Sequence, residues 1–157
     1  MAKKQWGPQE IAAEAAALEG RGPVAALRWA YEQFAHDEIA FACSFGAEDV
    51  ALAHMISQVA PEAQAFYLDT GFLFPETYQT IEAVRAAYPL RIRQVLPPLT
   101  PEEQAAQYGD ELWRRDPDLC CNLRKVQPLT GVLQGLKAWI TGIRREQSPT
   151  RAGAQVV

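Results

Sequence analysis

The stretch IAFACSFGAEDVALAHMISQVA, residues 39–60, indicates the fold class because its pattern changes once along its length. Its first part, IAFACSF, is a short and almost wholly apolar run, which is typical of a buried strand. Behind the glycine, EDVALAHMISQVA places two acidic residues ahead of a helical pattern of apolar residues, which predicts a helix. A strand that leads into a helix is the unit from which parallel α/β sheets are built.

The rest of the chain repeats this unit. Further strands are predicted at 64–70, 90–96 and 137–143, with helical patterns between them. Two alanine-rich helical patterns, at 8–20 and 22–34, precede the first strand. The sequence therefore predicts one α/β domain over its whole length, with a parallel twisted sheet and helices on both faces.

The composition is that of an ordinary soluble globular protein, with 48% hydrophobic and 22% charged residues in a chain of 157. No apolar run approaches the roughly 20 residues that span a bilayer. No apolar stretch follows Lys3 and Lys4 to form a signal peptide, and three cysteines provide no disulfide framework. We therefore expect a cytoplasmic protein without a membrane partner.

Charge is distributed unevenly along the chain. Residues 1–110 hold 15 acidic and 7 basic side chains, whereas residues 111–157 hold 8 basic and 4 acidic ones. A solvated basic face explains this balance. The alternative is that residues 111–157 bind an anionic ligand. The acidic remainder argues against a nucleic-acid-coating protein.

Ligands of parallel sheets bind at the carboxyl ends of the strands, so the residues there are candidates for a site. After the first strand, Ser44 and Gly46 stand at a strand-to-helix turn, where free N–H groups and the helix dipole can bind an anion. A plain turn with Ser44 or Asp49 as the N-cap is the alternative.

The second and fourth strands also end in polar segments. At Asp69-Thr70-Gly71 the glycine lets backbone approach a ligand closely. Asp69 and Thr70 then contact sugar hydroxyls or a base edge, or they satisfy loop amides instead. Residues 142–151 hold three arginines, a glutamine and a serine, which form either a sulfate or phosphate clamp or a solvated loop. The third strand ends in two prolines and shows little chemistry.

The three cysteines fall into two groups. Cys43 lies in a predicted core strand and is most simply a small buried hydrophobe. Adjacent cysteines such as Cys120 and Cys121 rarely bond to each other, because the ring strains the peptide between them. They are either two cysteines at a helix start or thiolate ligands of an iron–sulfur cluster, with Arg124 and Lys125 offsetting the negative charge. Zinc is a weaker alternative, since its cysteine ligands are usually spaced.

Together, SFGAEDV, LDTGFLFPETY, CCNLRKVQPL and ITGIRREQSPTR resemble the assimilatory adenylyl-sulfate and phosphoadenylyl-sulfate reductases, from about residue 36 to the last residue. The resemblance implies an adenine-nucleotide-binding fold of the PP-loop (Rossmann-like) type. It implies reduction of adenylyl sulfate to sulfite and AMP, in sulfate assimilation and cysteine biosynthesis. A thiol reductant such as thioredoxin would be the partner, and a homo-oligomer stays open.

The resemblance also implies site residues at the strand ends. Three cationic residues would face the phosphosulfate and assist catalysis: Lys125, Arg144 and Arg145. The remaining positions that it implies would bind the substrate: Ser44, Phe45, Gly46, Glu48, Asp49, Leu68, Thr70, Gly71 and Gln147. Asp69 and Arg151 are added to this set because they follow the second and fourth strands. The turn departs from that of ATP-cleaving relatives, because Phe45 occupies a glycine position and acidic residues follow it. This departure fits a sulfonucleotide that is reduced.

In that family, members with Cys-Cys at this point and a later Cys-x-x-Cys carry a 4Fe-4S cluster and mostly use adenylyl sulfate. Cys120 and Cys121 therefore imply two cluster ligands. The second cysteine pair, the further strand and the catalytic tail cysteine of the family do not occur before Val157. We expect the N-terminal part of a reductase, inactive alone and without a stable cluster. The alternatives are a phosphoadenylyl-sulfate reductase, a non-catalytic nucleotide-binding module and a sulfate adenylyltransferase subunit.

Overall fold

The computed structural model describes residues 6–157, so Lys3 and Lys4 lie outside the described residues. A four-stranded sheet is surrounded by helices. The strands are β1 (Ile39–Ala42), β2 (Gln64–Leu68), β3 (Arg91–Val95) and β4 (Ala138–Ile140). The helices are α1 (Pro8–Leu18), α2 (Pro23–Gln33), α3 (Ala47–Val59), α4 (Pro75–Ala87), α5 (Pro101–Tyr108), α6 (Leu112–Arg115), α7 (Pro117–Cys121) and α8 (Gln127–Leu133), with a π-helical segment at Asn122–Val126. Two short 3-10 turns follow β4, at Arg145–Gln147 and Pro149–Arg151.

All strand pairs are parallel, and the order across the sheet is β3-β2-β1-β4. Phe41 of β1 aligns with Ala65 of β2 on one side and with Ile140 of β4 on the other. The chain runs outward from β1 through β2 to β3 and then returns to the opposite side of β1. The switch point of the topology, where such sheets bind ligands, therefore lies between β1 and β4.

Both faces of the sheet are covered. On one face, Phe41 and Tyr67 pack in a core with Leu27, Ile56 and Ile81, which come from α2, α3 and α4. Side chains alternate along a strand, so Ala40 and Phe66 point to the other face, and they are also buried. The predicted α/β class, with a parallel sheet and helices on both faces, is confirmed.

Several predicted boundaries were wrong. The predicted strand at 39–45 ends at Ala42, because the chain turns at once and Phe45 adopts φ 60°. The predicted strand at 137–143 shrinks to three residues. The helical pattern that the sequence shows at residues 101–115, after the third strand, is broken near Gly109 and Glu111, whose φ angles are 83° and 51°. Among residues 6–157, no helix combines the length and apolarity that crossing a membrane requires.

Candidate functional site at the carboxyl edge of the sheet

The turn between β1 and α3 is held by one carboxylate. Asp49 is buried, and its Oδ2 atom accepts hydrogen bonds from Ser44 N at 2.5 Å and from Ser44 Oγ at 2.6 Å. Phe45 is buried and packs edge-to-face on Tyr67, with ring centroids 5.4 Å apart. The N-cap is Gly46, without a side-chain cap, so an N-cap at Ser44 or Asp49 was wrong. Asp49 instead fixes the turn from inside the helix.

Residues behind β4 complete this part of the edge. Arg144 Nη2 lies 2.6 Å from Glu48 Oε1, so an ion pair joins the segment behind β4 to the first turn of α3. Gly142 passes so close to α3 that a Cβ atom there would overlap Asp49 Oδ1. Gly142 thus allows the β4 end to approach the turn. The structure thus brings Glu48, Asp49 and Arg144 together.

The β2 end is organised by Asp69, which is 4% exposed. Its Oδ1 atom accepts from Gly71 N at 2.9 Å and from Tyr78 OH at 2.8 Å, and its Oδ2 atom accepts from Gln94 Nε2 at 2.7 Å. The bond to this carboxylate raises the pKa of Tyr78 to about 12. The carboxylate holds the loop, as in the loop-amide alternative. Gln94 lies on β3, where the sequence had shown little chemistry.

Arg124 connects the β2 loop with the helices behind it and is only 3% exposed. Its Nε atom donates to Thr70 O, and its Nη1 atom donates to Leu99 O at 3.3 Å and to Gln104 Oε1 at 2.9 Å. Its guanidinium carbon lies 5.0 Å from the centre of the Phe72 ring. From the sequence, Arg124 is expected only to offset negative charge beside the cysteines. Its bonding partners lie 20 to 54 residues away, so no local pattern could reveal them.

The adjacent cysteines occupy different environments at the end of α7. Cys120 is buried and accepts a hydrogen bond from Gln104 Nε2 at 3.7 Å, whereas Cys121 is exposed. Lys125, in the π-helical segment, is also exposed. Within residues 6–157, no three His, Cys, Asp or Glu side chains are grouped so that they could hold a metal ion. The two thiols supply half of a four-thiolate ligand set, so these residues alone do not fit a 4Fe-4S cluster.

Arg145, the residue after Arg144, contacts α1. Arg145 forms two hydrogen bonds of 2.8 Å with the carboxylate of Glu19 in α1, and its Nε atom donates to Ala154 O at 2.7 Å. This pair lowers the pKa of Glu19 and raises that of Arg145. Gln147 accepts a hydrogen bond from Arg151. In this conformation Arg145 is directed to α1, and not to the turn behind β1.

A groove of about 1530 Å³ opens beside β4, between α1, α2 and the last four residues. It is largely apolar, and Trp139 and Ile143 are exposed in it. Its polar end reaches Glu48 and Arg144. The turn between β1 and α3 is therefore open to solvent from the β4 side.

These features define a class: a parallel α/β protein with a strand-to-helix turn and an arginine–glutamate ion pair at the switch point of its sheet. The sequence model of the family described as "Phosphoadenosine phosphosulfate reductase domain" matches residues 38–157. The chain belongs to this family, which confirms the resemblance.

Similar proteins include two named adenosine 5'-phosphosulfate reductase. The one from Geobacillus kaustophilus is 53% identical over 154 residues, which cover 98% of this chain and 65% of that protein. The one from Geobacillus thermodenitrificans is 56% identical over 140 residues, which cover 88% and 59%. The crystal structure of phosphoadenylyl-sulfate (PAPS) reductase from Candida auris, a phosphate complex, has a TM-score of 0.77 and 30% identity, over 91% of this chain and 71% of that one. The chain thus spans about three fifths of the length of these curated relatives.

Proposed function

We propose that the whole protein is a cytoplasmic enzyme of sulfate assimilation and cysteine biosynthesis that reduces adenylyl sulfate to sulfite and AMP. Thioredoxin or a similar thiol would be the reductant. The observation that carries the proposal is the turn behind β1, where Asp49 orients Ser44 at the positive end of a 13-residue helix beside Arg144. The names of the two Geobacillus relatives support adenylyl sulfate as the substrate.

In the proposed complex, the N–H groups of the turn and the helix dipole bind the phosphosulfate. The loop of Thr70 and Gly71 holds the adenosine, where φ of 75° at the glycine brings backbone to the ligand. Arg144 exchanges Glu48 for the anion, and Lys125 approaches it from the π-helical segment. Arg145 could take part only after leaving Glu19. We also place Phe45, Leu68, Gln147 and Arg151 at this edge.

The proposed reaction begins with attack of a cysteine thiolate on the sulfur of the sulfate group. The sulfur–oxygen bond to the phosphate breaks and AMP leaves, which gives an enzyme S-sulfocysteine. A thiol of the reductant then attacks the cysteine sulfur, and sulfite leaves with the electron pair, which gives a mixed disulfide. A second thiol of the reductant opens the mixed disulfide, so that the reductant is oxidised to a disulfide and the enzyme cysteine is free again. Cys43 is not the nucleophile, because burial raises its pKa to about 12 and keeps it protonated.

We propose Cys120 and Cys121 as two ligands of a 4Fe-4S cluster in the whole protein. Their position in the chain supports this assignment, together with the names of the relatives. When bound, a cluster would supply charge beside Lys125. No step of the proposed reaction depends on it.

Two measurements test the proposed function. Calorimetry of this chain with AMP and adenylyl sulfate should show binding, and the whole protein should release sulfite from adenylyl sulfate with a thiol donor. Arg144→Ala should lower turnover by about 10²–10³-fold, the usual effect of removing one donor to a developing oxyanion. Arg114→Ala is the matched control, because Arg114 is an exposed arginine that also pairs with a glutamate. No binding of either nucleotide would contradict the proposed function, and unchanged turnover in Arg144→Ala would contradict the role of Arg144.

Two alternatives have distinct outcomes. Preference for the 3'-phosphorylated sulfonucleotide would identify a phosphoadenylyl-sulfate reductase, as in the Candida auris neighbour. A non-catalytic nucleotide-binding module is the second candidate for this chain by itself, because it spans 65% and 59% of the relatives. In that case the chain binds AMP, and sulfite release is absent.

A further inference from the structure

Buried contacts join the β2 loop to one of the two adjacent cysteines. Thr70 O accepts from Arg124, whose Nη1 atom donates to Gln104 Oε1 at 2.9 Å, and Gln104 Nε2 donates to Cys120 Sγ at 3.7 Å. Each of these four residues is at most 7% exposed. The proposed adenosine loop and Cys120 are therefore connected through three consecutive hydrogen bonds, with Gln104 in the middle.

The orientation of the Gln104 amide follows from its partners. A guanidinium can only donate, so the amide oxygen must face Arg124 and the amide nitrogen faces the sulfur. Gln104 itself is fixed on α5, whose first turn carries a capping box: Glu103 N donates to Thr100 Oγ1 at 3.2 Å, and Thr100 N donates to Glu103 Oε2 at 2.8 Å. Gln104 can therefore connect Arg124 with Cys120 in only one orientation of its amide.

The same helix packs against the nucleotide loop. A Cβ atom at Gly71 would lie 2.9 Å from Pro101 Cγ and 3.0 Å from Arg124 Nη2. A shift of the loop therefore changes the position of Arg124 and of the start of α5, and both hold Gln104. The exposed Cys121 has no part in these contacts.

We infer that Gln104 is a positioning residue that couples nucleotide binding at the Thr70–Gly71 loop to the packing of Cys120, and not to Cys121. This inference rests on the proposed function, because it needs a nucleotide on that loop. Coupling between two sites is reciprocal: a nucleotide that tightens the loop protects Cys120, and loss of the Cys120 contact changes nucleotide binding by the same factor.

The test uses this chain with AMP. Calorimetry gives the affinity, and mass spectrometry gives the alkylation rate of each cysteine with iodoacetamide, with and without AMP. Cys43 is buried at the end of β1, so its rate reports general opening of the fold. Relative to Cys43, AMP should slow alkylation of Cys120 by about fivefold or more, the lower end of usual coupling factors. The rate at Cys121 should not change.

Two variants of Gln104 separate its contact with Arg124 from its contact with Cys120. Gln104→Glu keeps an oxygen acceptor for Arg124 and loses the donor to the sulfur. By reciprocity it should weaken AMP binding by the factor by which AMP slows alkylation of Cys120 in the wild type, about fivefold or more, and the AMP effect on Cys120 should disappear. Gln104→Leu loses both contacts and should weaken AMP binding as well. Gln107→Leu, on the exposed side of the same helix, should behave as the wild type.

The outcomes separate the inference from the proposed function. If AMP binds and leaves the rate ratio of Cys120 to Cys43 unchanged, the inference is overturned and the proposed function stands. Retention of the AMP effect in Gln104→Glu also overturns it. If neither AMP nor adenylyl sulfate binds the wild-type chain, both fail together.

Discussion

The substitution Gly142→Ala should displace Asp49 from the turn behind β1. The added methyl group would overlap Asp49 Oδ1, and the backbone of Gly142 belongs to the segment directly behind β4. Either this segment must move away from α3, or the Asp49 carboxylate must give up Ser44 N and Ser44 Oγ, which it binds at 2.5 and 2.6 Å. Both movements open the switch point of the sheet.

The magnitude follows from two contributions. Overpacking of a fitted contact costs about 1–3 kcal/mol. Loss of the two hydrogen bonds adds about 1 kcal/mol in total, about 0.5 kcal/mol for each, because Ser44 is exposed and water can replace part of the interaction. We therefore expect Gly142→Ala to lower the free energy of unfolding by about 2–4 kcal/mol. For a chain of this length, that corresponds to a decrease in Tm of about 6–12 °C.

The assay is urea unfolding followed by circular dichroism, together with calorimetry of AMP binding. Gly131→Ala is the control, because Gly131 lies in α8 with no atom within 4 Å of an added Cβ. That variant should be as stable as the wild type or more stable by up to about 1 kcal/mol, because alanine favours helix over glycine. If Gly142→Ala unfolds within about 0.5 kcal/mol of the wild type and binds AMP equally well, the reasoning from the Gly142–Asp49 contact is refuted.

Three further predictions concern cysteines and one other glycine. Burial raises the pKa of Cys43 from 9.0 to about 12, so the stability that its proton contributes is complete below pH 9 and is lost toward pH 12. The urea midpoint of Cys43→Ala should therefore fall less steeply above pH 9 than that of the wild type, and equal slopes would contradict this. Cys121 should be alkylated before the two buried cysteines, and mass spectrometry that found either of those modified first would reverse the assignment. Gly71→Ala should be less stable than Gly20→Ala in the same unfolding assay. Both glycines have φ near 75°, but of the two only Gly71 would place an added Cβ against other atoms. Equal losses of stability would mean that backbone strain, about 1–2 kcal/mol, is the whole effect.

Most of the fold could be predicted from the sequence because each strand-to-helix unit carries its own local pattern. The strand ends could not be predicted to the residue. Cys43 and Phe45 continue the largely apolar pattern, yet the strand stops at Ala42, because Phe45 turns into a left-handed conformation and packs on Tyr67. That contact is tertiary. Hydrophobicity along the chain cannot distinguish an aromatic residue in a strand from one that is buried by the turn behind it.

The candidate site, like the fold, could be predicted only in part from the sequence. Ser44, Asp69 and Gly71 were predicted because a general rule places ligands at the carboxyl ends of parallel strands. Their partners were not, because packing determines them: Gln94 is 25 residues from Asp69, and Glu19 is 126 residues from Arg145. In the sequence the two adjacent cysteines look equivalent, whereas in the structure Cys120 is buried and accepts a hydrogen bond from Gln104, and Cys121 is exposed.

The ion pairs at this edge suggest how an anion would enter. Arg144 is half exposed and pairs with Glu48, so their interaction is of the surface kind, worth about 0–1 kcal/mol. A phosphosulfate with more than one negative charge competes with this single carboxylate at small cost. Arg124 differs, because it is buried and its hydrogen bonds go to amide and backbone oxygens that cannot leave. We therefore expect Arg144 to be the cation that changes partner when a nucleotide binds, while Arg124 keeps the loop in the shape that receives it.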